Sequence, residues 1–398
     1  MHIITNRPSN DRISPAGDET GAGNAQALEA FRSDVIDRIR AAGGVWTLAG
    51  GQLVLPRVFG FCRGVKRALL MLQRTIADPV RRGQTFTLLG EIIHNPWVND
   101  YFRSRGVRVL SRRQREQLEK HLTADDCAVI PAFGVPLSVE RRLEGIGCDV
   151  LDCTCGDVRR LWTWSQRAVR DGFGVLIFGK PAHDETVVTK SRLRAAGGKY
   201  LVAEDLAQVD RFLDMIAAGA KVSPGDAFGS DATNAESIDC FRRLAQVSQT
   251  TMLYDETMEV RRRVRSTFLR KFGEEGLAER VLFEPTVCRA TQDRQTAAVE
   301  LCRSACDLVI VVGGFGSSNT RNLHRLAKSY APALLIEDSA AIGSGEELET
   351  IDPSAGEPVT VRGWLPERRP LRVGVLAGAS SPEIVVGEVL EKLAGFLS

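Results

Sequence analysis

The sequence predicts an α/β protein with parallel sheets that are covered by helices on both faces. From residue 52 onward, short apolar runs typical of strands alternate with stretches that have apolar residues at helical spacing. This repeated order of strand, turn and helix is typical of parallel sheets. The turns after the apolar runs hold most of the clustered polar residues, and ligands of open α/β sheets bind at that edge.

Regular structure is predicted to begin after a polar stretch, residues 1–24. Residues 25–42 have helical spacing and end at Gly43 and Gly44, so we expect one helix there. The strand candidates are LVLPRV, TFTLLG, CAVIPA, CDVLD, GVLIFG, AQVSQ, VLFEPTV, DLVIVVGG, ALLIED and RVGVLAG. Residues 217–237 and 349–370 break the alternation, and we expect surface loops or insertions of low structural content there.

The composition is that of a globular protein and argues against several classes. The 398 residues, 43% hydrophobic and 26% charged, suffice for two or three domains. A formal net charge of +2 gives no reason to expect a nucleic-acid partner. No apolar run approaches the ~18 residues of a membrane span, and the N-terminus lacks the pattern of a secretory signal. We therefore expect a cytoplasmic protein that binds no membrane.

Three of the nine cysteines each end an apolar run and enter a turn: Cys62, Cys155 and Cys288. A fold that gathers strand ends would bring them into a three-thiolate pocket with a free coordination position, which is typical of an iron–sulfur enzyme. Three ordinary buried cysteines are the alternative. A structural zinc site is disfavoured because the chain has no pair of CxxC motifs. The better core candidates are Cys127, Cys148, Cys240, Cys302 and Cys306.

Two loops have the residue types that bind anions. GGFGSSNTRN follows the run DLVIVV and opens a helix, where Ser317, Ser318 and Asn319 add donors at the positive helix end. AGASSPE repeats this arrangement with Ser380 and Ser381. A bound diphosphate is therefore plausible, and a helix cap without a ligand is the alternative. Neither loop has a GxGxxG or Walker pattern, which disfavours a nucleotide.

Four more polar residues at strand ends are candidates for catalysis or binding. His94 in EIIHNP and His183 in PAHDE have imidazoles that can hold phosphate oxygens, although a lone histidine is more often structural. Glu185 is a candidate general acid if it is buried beside an apolar substrate. Thr250 in SQTTM is a candidate for relaying a proton or holding a water, with a helix cap as the alternative.

Together, these motifs resemble those of the 4-hydroxy-3-methylbut-2-enyl diphosphate reductases, the LytB/IspH family, over about residues 53–397. GFCRGV, CTCGDV and VCRATQDRQ are similar to the family's three cluster-cysteine motifs. The resemblance implies that Cys62, Cys155 and Cys288 bind three irons of a [4Fe–4S] cluster, whose fourth iron takes the substrate. The family's activity is a two-electron, proton-coupled removal of an allylic hydroxyl in isoprenoid biosynthesis.

The other matching motifs imply roles for the remaining site residues. IIHN and AHDE match the family's diphosphate-binding and proton-delivery motifs, which implies that His94 and His183 contact the diphosphate. Catalysis is implied for Glu185 and Thr250, with His183 beside them. The SSN and GAS motifs imply diphosphate contacts from Ser317, Ser318, Asn319 and Ser380.

The resemblance also implies three similar α/β domains with parallel sheets, arranged pseudo-threefold around a central iron–sulfur cluster. We expect an N-terminal extension with one helix over residues 1–52 and domains over residues 53–155, 156–287 and 288–398. The Cys62 turn and the strand before it would belong to the first domain. No dinucleotide or flavin fingerprint is evident, so a ferredoxin or flavodoxin is the expected electron donor.

Three positions depart from the family pattern. Phe133 in PAFGVP stands where the family has a histidine that contacts the diphosphate, and Gly156 and Asp184 stand where it has prolines. Loss of the histidine's hydrogen bond would cost about 1–3 kcal/mol if the acceptor stayed buried. A divergent paralogue that reduces a different hydroxylated compound is therefore an alternative. A non-catalytic iron–sulfur sensor is a further alternative, which Glu185 and Thr250 disfavour.

Overall fold

The computed structural model describes residues 27–219, 222–351 and 356–398, so the expectation for residues 1–24 lies outside the described residues. The strands are β1 (Val45–Leu48), β2 (Gly51–Val54), β3 (Phe86–Leu88), β4 (Arg108–Val109), β5 (Cys127–Ile130), β6 (Asp149–Asp152), β7 (Gly174–Phe178), β8 (Tyr200–Ala203), β9 (Leu244–Ser248), β10 (Val281–Phe283), β11 (Leu308–Val312), β12 (Ala333–Ile336), β13 (Glu347–Ile351), β14 (Pro358–Arg362) and β15 (Leu371–Ala377).

Helices connect most of these strands. They are α1 (Asp34–Ala41), α2 (Arg63–Ala77), α3 (Pro96–Arg103), α4 (Arg112–Arg115), α5 (Leu137–Ile146), α6 (Gly156–Arg170), α7 (Asp184–Ala195), α8 (Leu206–Ala218), α9 (Pro224–Phe228), α10 (Tyr254–Arg280), α11 (Arg289–Arg303), α12 (Ser318–Lys328) and α13 (Glu383–Leu397). Gly273 has a φ of 71° and kinks α10, because only a residue without a Cβ adopts that conformation readily.

Three sheets confirm the predicted α/β class. The first sheet has the order β4-β3-β5-β6, the second β10-β9-β7-β8 and the third β1-β2-β15-β11-β12. Neighbouring strands are parallel in all three, except for the antiparallel pair β1 and β2. The central strands β5, β7 and β11 are buried along their whole length, as expected for parallel strands with helices on both faces.

The third sheet joins the two ends of the chain. Strand β2 pairs in parallel with β15, with Leu53 opposite Val373. The strand in LVLPRV therefore belongs to the sheet of the C-terminal residues, and its expected place in a first domain over residues 53–155 is wrong. Helix α1 shares a hydrophobic core with α13 in the same unit. Helix α1 and strands β1 and β2 are thus part of the third unit, which no local pattern could reveal because the pairing spans most of the chain.

The helix predicted over residues 25–42 is interrupted in its described part. A single 3₁₀ turn, Glu29–Phe31, precedes α1, because Ser33 has extended backbone angles. Phe31 packs against Phe61 and Tyr101, with ring centroids 5.4 and 4.6 Å apart. These rings belong to the core of the first sheet, so the segment before α1 contacts the first unit while α1 itself packs on the third.

The two stretches expected to have little regular structure differ from that expectation. Within residues 217–237, helix α9 forms, and the buried Thr233 donates a hydrogen bond of 2.6 Å to the carbonyl of Tyr200. Strand β14 pairs with β13 as an antiparallel ribbon. Leu348 and Trp364 anchor that ribbon in the hydrophobic core of the third sheet. The expectation of low structural content over residues 349–370 is therefore wrong for the described part.

No helix among the described residues is both long enough and apolar enough to span a membrane.

Candidate active site

One cavity of about 130 Å³ lies where strand ends of all three sheets meet. The Ser381 hydroxyl does not line it and donates to the carbonyl of Val312 instead. The other predicted site residues all line the cavity: Cys62, His94, Phe133, Cys155, His183, Glu185, Thr250, Cys288, Ser317, Ser318, Asn319 and Ser380. The lining also includes residues that the analysis missed, among them Gly64, Asp157, Thr251 and Thr291. The missed residues lie within three positions of a predicted one, so the motifs themselves were the available signal.

Each of the three cysteines precedes the first turn of a helix. Cys62 caps α2 and accepts a hydrogen bond of 3.4 Å from the backbone N–H of Val65. Cys288 caps α11 in the same way, with Thr291 N–H at 3.4 Å and the Thr291 hydroxyl at 3.1 Å. Cys155 caps α6. Three positive helix ends therefore face the thiols, and such ends stabilise thiolates.

The three sulfurs surround a shared space. A Cβ placed on Gly64 would lie 2.6 Å from the Sγ of Cys155 and 3.8 Å from the Sγ of Cys62. A side chain at position 64 would therefore fill the space between these two thiols. The negative charges of thiolates at positions 62 and 288 would also interact, because the charge of Cys62 raises the pKa of Cys288. Gly64 keeps the space between the sulfurs open.

The donor set fits a group that is larger than one metal ion. Among the described residues, no three Cys, His, Asp or Glu side chains are close enough to hold a single ion. Three thiols with soft sulfur donors around an open space instead suit a cluster, whose corners keep the thiolates apart. Burial raises the pKa of Cys288 to about 12, so its thiol stays protonated until a bound cation replaces the proton.

A buried carboxyl group lies in the same cavity. Glu185 is 3% exposed, and Thr250 donates hydrogen bonds to its two oxygens, 2.7 Å from the backbone N–H to Oε1 and 2.6 Å from the hydroxyl to Oε2. Burial raises the pKa of Glu185 to about 7, although the bonds from Thr250 act to lower it. A carboxyl group with this pKa can give a proton at neutral pH.

His94 and His183 lie side by side, with ring centroids 5.5 Å apart and the rings nearly perpendicular. The Nδ1 of His183 accepts a hydrogen bond of 3.2 Å from Glu185 N–H, which leaves the proton of the neutral ring on Nε2. Burial, then repulsion from His94, lowers the pKa of His183 to about 3, so the ring is neutral at pH 7.

Phe133 stacks on His94 with a centroid distance of 4.6 Å and an interplanar angle of 6°. The Nδ1 of His94 is 3.0 Å from Glu91, while its buried Nε2 has no hydrogen-bond partner among the described residues. Asp184 places a carboxylate oxygen 3.8 Å from that Nε2. Phe133 therefore fixes the plane of an imidazole whose free nitrogen is available to a ligand.

The two serine-rich loops form another part of the cavity wall, next to the backbone of His94. Ser317 caps α12 and accepts a hydrogen bond of 3.3 Å from Thr320 N–H. Asn319 accepts one of 3.0 Å from Ala379 N–H, which joins the two loops. The Ser380 hydroxyl donates to the carbonyl of His94 at 3.3 Å. This wall presents hydroxyl and amide donors at a helix N-terminus, the arrangement that binds phosphate oxygens.

The family model described as LytB protein matches residues 53–394. The 4-hydroxy-3-methylbut-2-enyl diphosphate reductase of Prochlorococcus marinus (strain MIT 9211) is 34% identical over 392 residues, which cover 96% of this chain and 94% of that protein. The protein of the same name from Thermosynechococcus vestitus (strain NIES-2133 / IAM M-273 / BP-1) is 33% identical over 377 residues, with coverages of 93% and 91%.

Two solved structures share the fold. The E-1-hydroxy-2-methyl-but-2-enyl-4-diphosphate reductase from Plasmodium falciparum has a TM-score of 0.62 and 19% identity, and covers 85% of this chain and 86% of its own. A structure of (E)-4-hydroxy-3-methyl-but-2-enyl diphosphate reductase has a TM-score of 0.51 and 24% identity, with coverages of 86% and 99%. The likeness confirms the arrangement of three α/β units with parallel sheets.

Proposed function

The chain belongs to the LytB protein family and is an oxidoreductase, and from this premise we propose that it reduces 4-hydroxy-3-methylbut-2-enyl diphosphate to isopentenyl and dimethylallyl diphosphate. The observation that carries the proposal is the position of the buried Glu185 in the same cavity as three cysteine thiols. A proton donor and a metal-binding pocket side by side are what a proton-coupled reduction needs.

Cys62, Cys155 and Cys288 would hold a [4Fe–4S] cluster, which when bound would supply electrons one at a time. The open space that Gly64 leaves between two of the sulfurs supports this assignment. A ferredoxin or flavodoxin is the donor that we propose, and its identity stays a prediction from the sequence.

Glu185 gives the proton with which the allylic hydroxyl leaves as water. The C–O bond breaks, and the allyl fragment receives two electrons and a second proton, so the reaction consumes two electrons and two protons in all. Thr250 holds both oxygens of Glu185 and thereby orients the carboxyl group toward the cavity. The positions of Glu185 and Thr250 in the cavity wall support these roles.

The diphosphate end of the substrate would bind between the two histidines and the serine-rich wall. His94 has a buried Nε2 without a partner among the described residues, and His183 is left with an Nε2–H donor. Further donors come from the serine-rich loops, whose four residues are at least nine-tenths buried and line the cavity: Ser317, Ser318, Asn319 and Ser380. Phe133 contributes by stacking on His94 rather than by a hydrogen bond.

A divergent paralogue is the second candidate, because two observations concern the anion site. Phe133 offers no hydrogen bond, and the carboxylate of Asp184 lies 3.8 Å from the nitrogen of His94 that would contact an anion. Repulsion between this carboxylate and a diphosphate would favour a substrate that presents its anion differently. A non-catalytic sensor receives less support, since it has no use for a buried acid such as Glu185.

The test is anaerobic purification of the whole chain, with counts of iron and sulfide, followed by spectroscopy before and after addition of the allylic diphosphate. We expect about four irons per chain, a spectral change on binding, and turnover with a reduced electron donor. Absence of iron and sulfide after reconstitution would refute the cluster assignment.

The paralogue is distinguished by the variant Phe133→His. If the parent turns over the diphosphate, the second candidate fails. If neither the parent nor Phe133→His turns over the diphosphate while both hold a cluster, reduction of 4-hydroxy-3-methylbut-2-enyl diphosphate is refuted. A different hydroxylated substrate is then indicated.

A further inference from the structure

Arg294 carries a positive charge that is buried between two of the cysteine loops. It lies on α11, six residues after Cys288, and is 5% exposed. Its position has helical spacing to the buried Ala297, Ala298 and Leu301, a place where an apolar side chain would be expected, and nothing in the proposed reaction uses it. Burying an arginine at this position requires a physical reason, because removing a cation from water is costly unless an opposite charge compensates it.

The guanidinium group ties the first and third cysteine loops together. One of its terminal nitrogens donates to the carbonyl of Gly60, two residues before Cys62. The other donates to the carbonyl of Ala290, two residues after Cys288, at 3.1 Å. The chain segments that carry these two thiols come from distant parts of the sequence, so Arg294 fixes their separation directly.

No ion pair with a carboxylate compensates the charge of Arg294 among the described residues, although the charge of the neighbouring Asp293 acts against the effect of burial on its pKa. The neighbouring Asp293 forms its ion pair with Arg289 at 2.8 Å, and no described ion pair includes Arg294. The Nε of Arg294 is also buried without a hydrogen-bond partner among the described residues. Burial lowers the pKa of Arg294, and the negative charges of thiolates at Cys62 and Cys288 act in the opposite direction.

We propose that Arg294 is a positioning residue for the iron–sulfur group: it holds the Cys62 and Cys288 loops at their working separation and offsets the negative charge that the bound thiolates bring. The inference rests on the proposed function, since it concerns the group that the three thiols would hold. Reduction adds an electron to this centre, and a buried cation nearby favours the more negative state, so Arg294 raises the reduction potential.

Asp157 provides a test of the predicted direction of the change in reduction potential, because it brings a negative charge to the same site. This acid lies on the first turn of α6, two residues after Cys155, and lines the cavity. Loss of the charge at Asp157 is expected to raise the reduction potential, whereas loss of the charge at Arg294 lowers it. Opposite shifts from two substitutions in one site separate an electrostatic effect from general damage to the fold.

The experiment compares the anaerobically reconstituted parent with Arg294→Gln, Arg294→Lys, Asp157→Asn and the control Arg303→Gln. Arg303 is an exposed arginine in the last turn of the same helix. Two quantities are measured: the midpoint potential by spectroscopic titration, and the rate at which a chelator removes iron.

Arg294→Gln is expected to have a more negative potential and a rate of iron loss roughly 10- to 100-fold higher, the range typical of lost outer-shell contacts to metal ligands. Arg294→Lys keeps the charge without the fork that reaches both loops, so its potential stays near the parent's while its iron loss is faster. Arg303→Gln is expected to match the parent in both.

A parent without iron and sulfide would refute the proposed function itself. A parent with a cluster, together with an Arg294→Gln variant unchanged in potential and in iron loss, overturns the role of Arg294 alone. If Arg294→Gln does not fold, Arg294→Lys decides. An unchanged rate of iron loss in Arg294→Lys would overturn the proposal that Arg294 holds the Cys62 and Cys288 loops together.

Discussion

Thr250 donates a hydrogen bond to each oxygen of the Glu185 carboxyl group, 2.7 Å from its backbone N–H and 2.6 Å from its hydroxyl. The two residues come from different strand ends of the second sheet, after β9 and after β7. This pairing holds an acid in a fixed orientation at the cavity wall. It also sets the acidity of Glu185, because the hydrogen bonds favour the charged carboxylate while burial disfavours it.

Thr250→Val removes the hydroxyl and keeps the backbone donor. We expect the pKa of Glu185 to rise, because one of the bonds that stabilise the carboxylate is lost. The rate of reduction should fall about 10- to 100-fold, the equivalent of one hydrogen bond to a charged group. The measurement is kcat as a function of pH: the fall in kcat at high pH should shift to a higher pH. Thr250→Ser is the matched control and should behave as the parent does; a Thr250→Val profile equal to the parent's would exclude this role.

The activity should depend on pH through Glu185. Its pKa is raised by burial to about 7, so the acid is protonated below that pH and loses its proton above it. Reductive turnover is therefore expected to fall as the pH rises through about 7. Glu185→Gln should lower turnover at every pH by about 10²- to 10⁴-fold, the range for general acid catalysis. Glu204→Gln, at an exposed acid that follows the neighbouring strand β8, is the control and should leave turnover unchanged.

The predicted site residues could be expected in one region because each of them follows a strand, and their roles stay predictions. Cys155 follows CDVLD and Ser317 follows DLVIVV, and both strands have the apolar composition that makes a parallel strand recognisable. The carboxyl ends of such strands collect at one edge, so residues that are distant in the chain could be expected in one cavity. Strand β8 has the same kind of apolar run, YLVA, and could have been found by the same rule.

Long-range pairing and buried polar groups were not predictable in this way. The pairing of β2 with β15 depends on contacts between the two ends of the chain, for which local patterns carry no signal. Strand β14 is mostly exposed, and its short alternation of Val359 and Val361 lies between Pro358 and Gly363, so its sequence resembles a loop. The charge of Arg294 argues for exposure, although its position has helical spacing to the buried Ala297, Ala298 and Leu301. Its burial follows from the approach of the Cys62 loop, which is a property of the assembled fold.

The three cysteines of the cavity should differ from the others in what their removal does. Cys288→Ala is expected to lose most of the iron and sulfide after anaerobic reconstitution, because a cluster bound by three thiolates would lose a ligand. Cys240→Ala is the matched control, because Cys240 packs at the edge of a hydrophobic core of the second sheet and does not line the cavity. Its loss should leave the iron content at the parent's value. Equal iron content in the two variants would refute the ligand assignment.

The stability of the apoprotein should depend on pH because the buried Glu185 has a raised pKa. Its pKa rises from 4.5 to about 7 on folding, so the native state binds more protons than the unfolded state between these values. Stability from this group is therefore lost as the pH rises from 4.5 to 7. His183 acts oppositely below pH 6.5, because its pKa falls to about 3 on folding. Glu185→Gln isolates the first effect: its melting temperature minus the parent's should increase steadily from pH 4.5 to 7 and then level off. A difference that is constant over this range would show that Glu185 does not take up its proton within the fold.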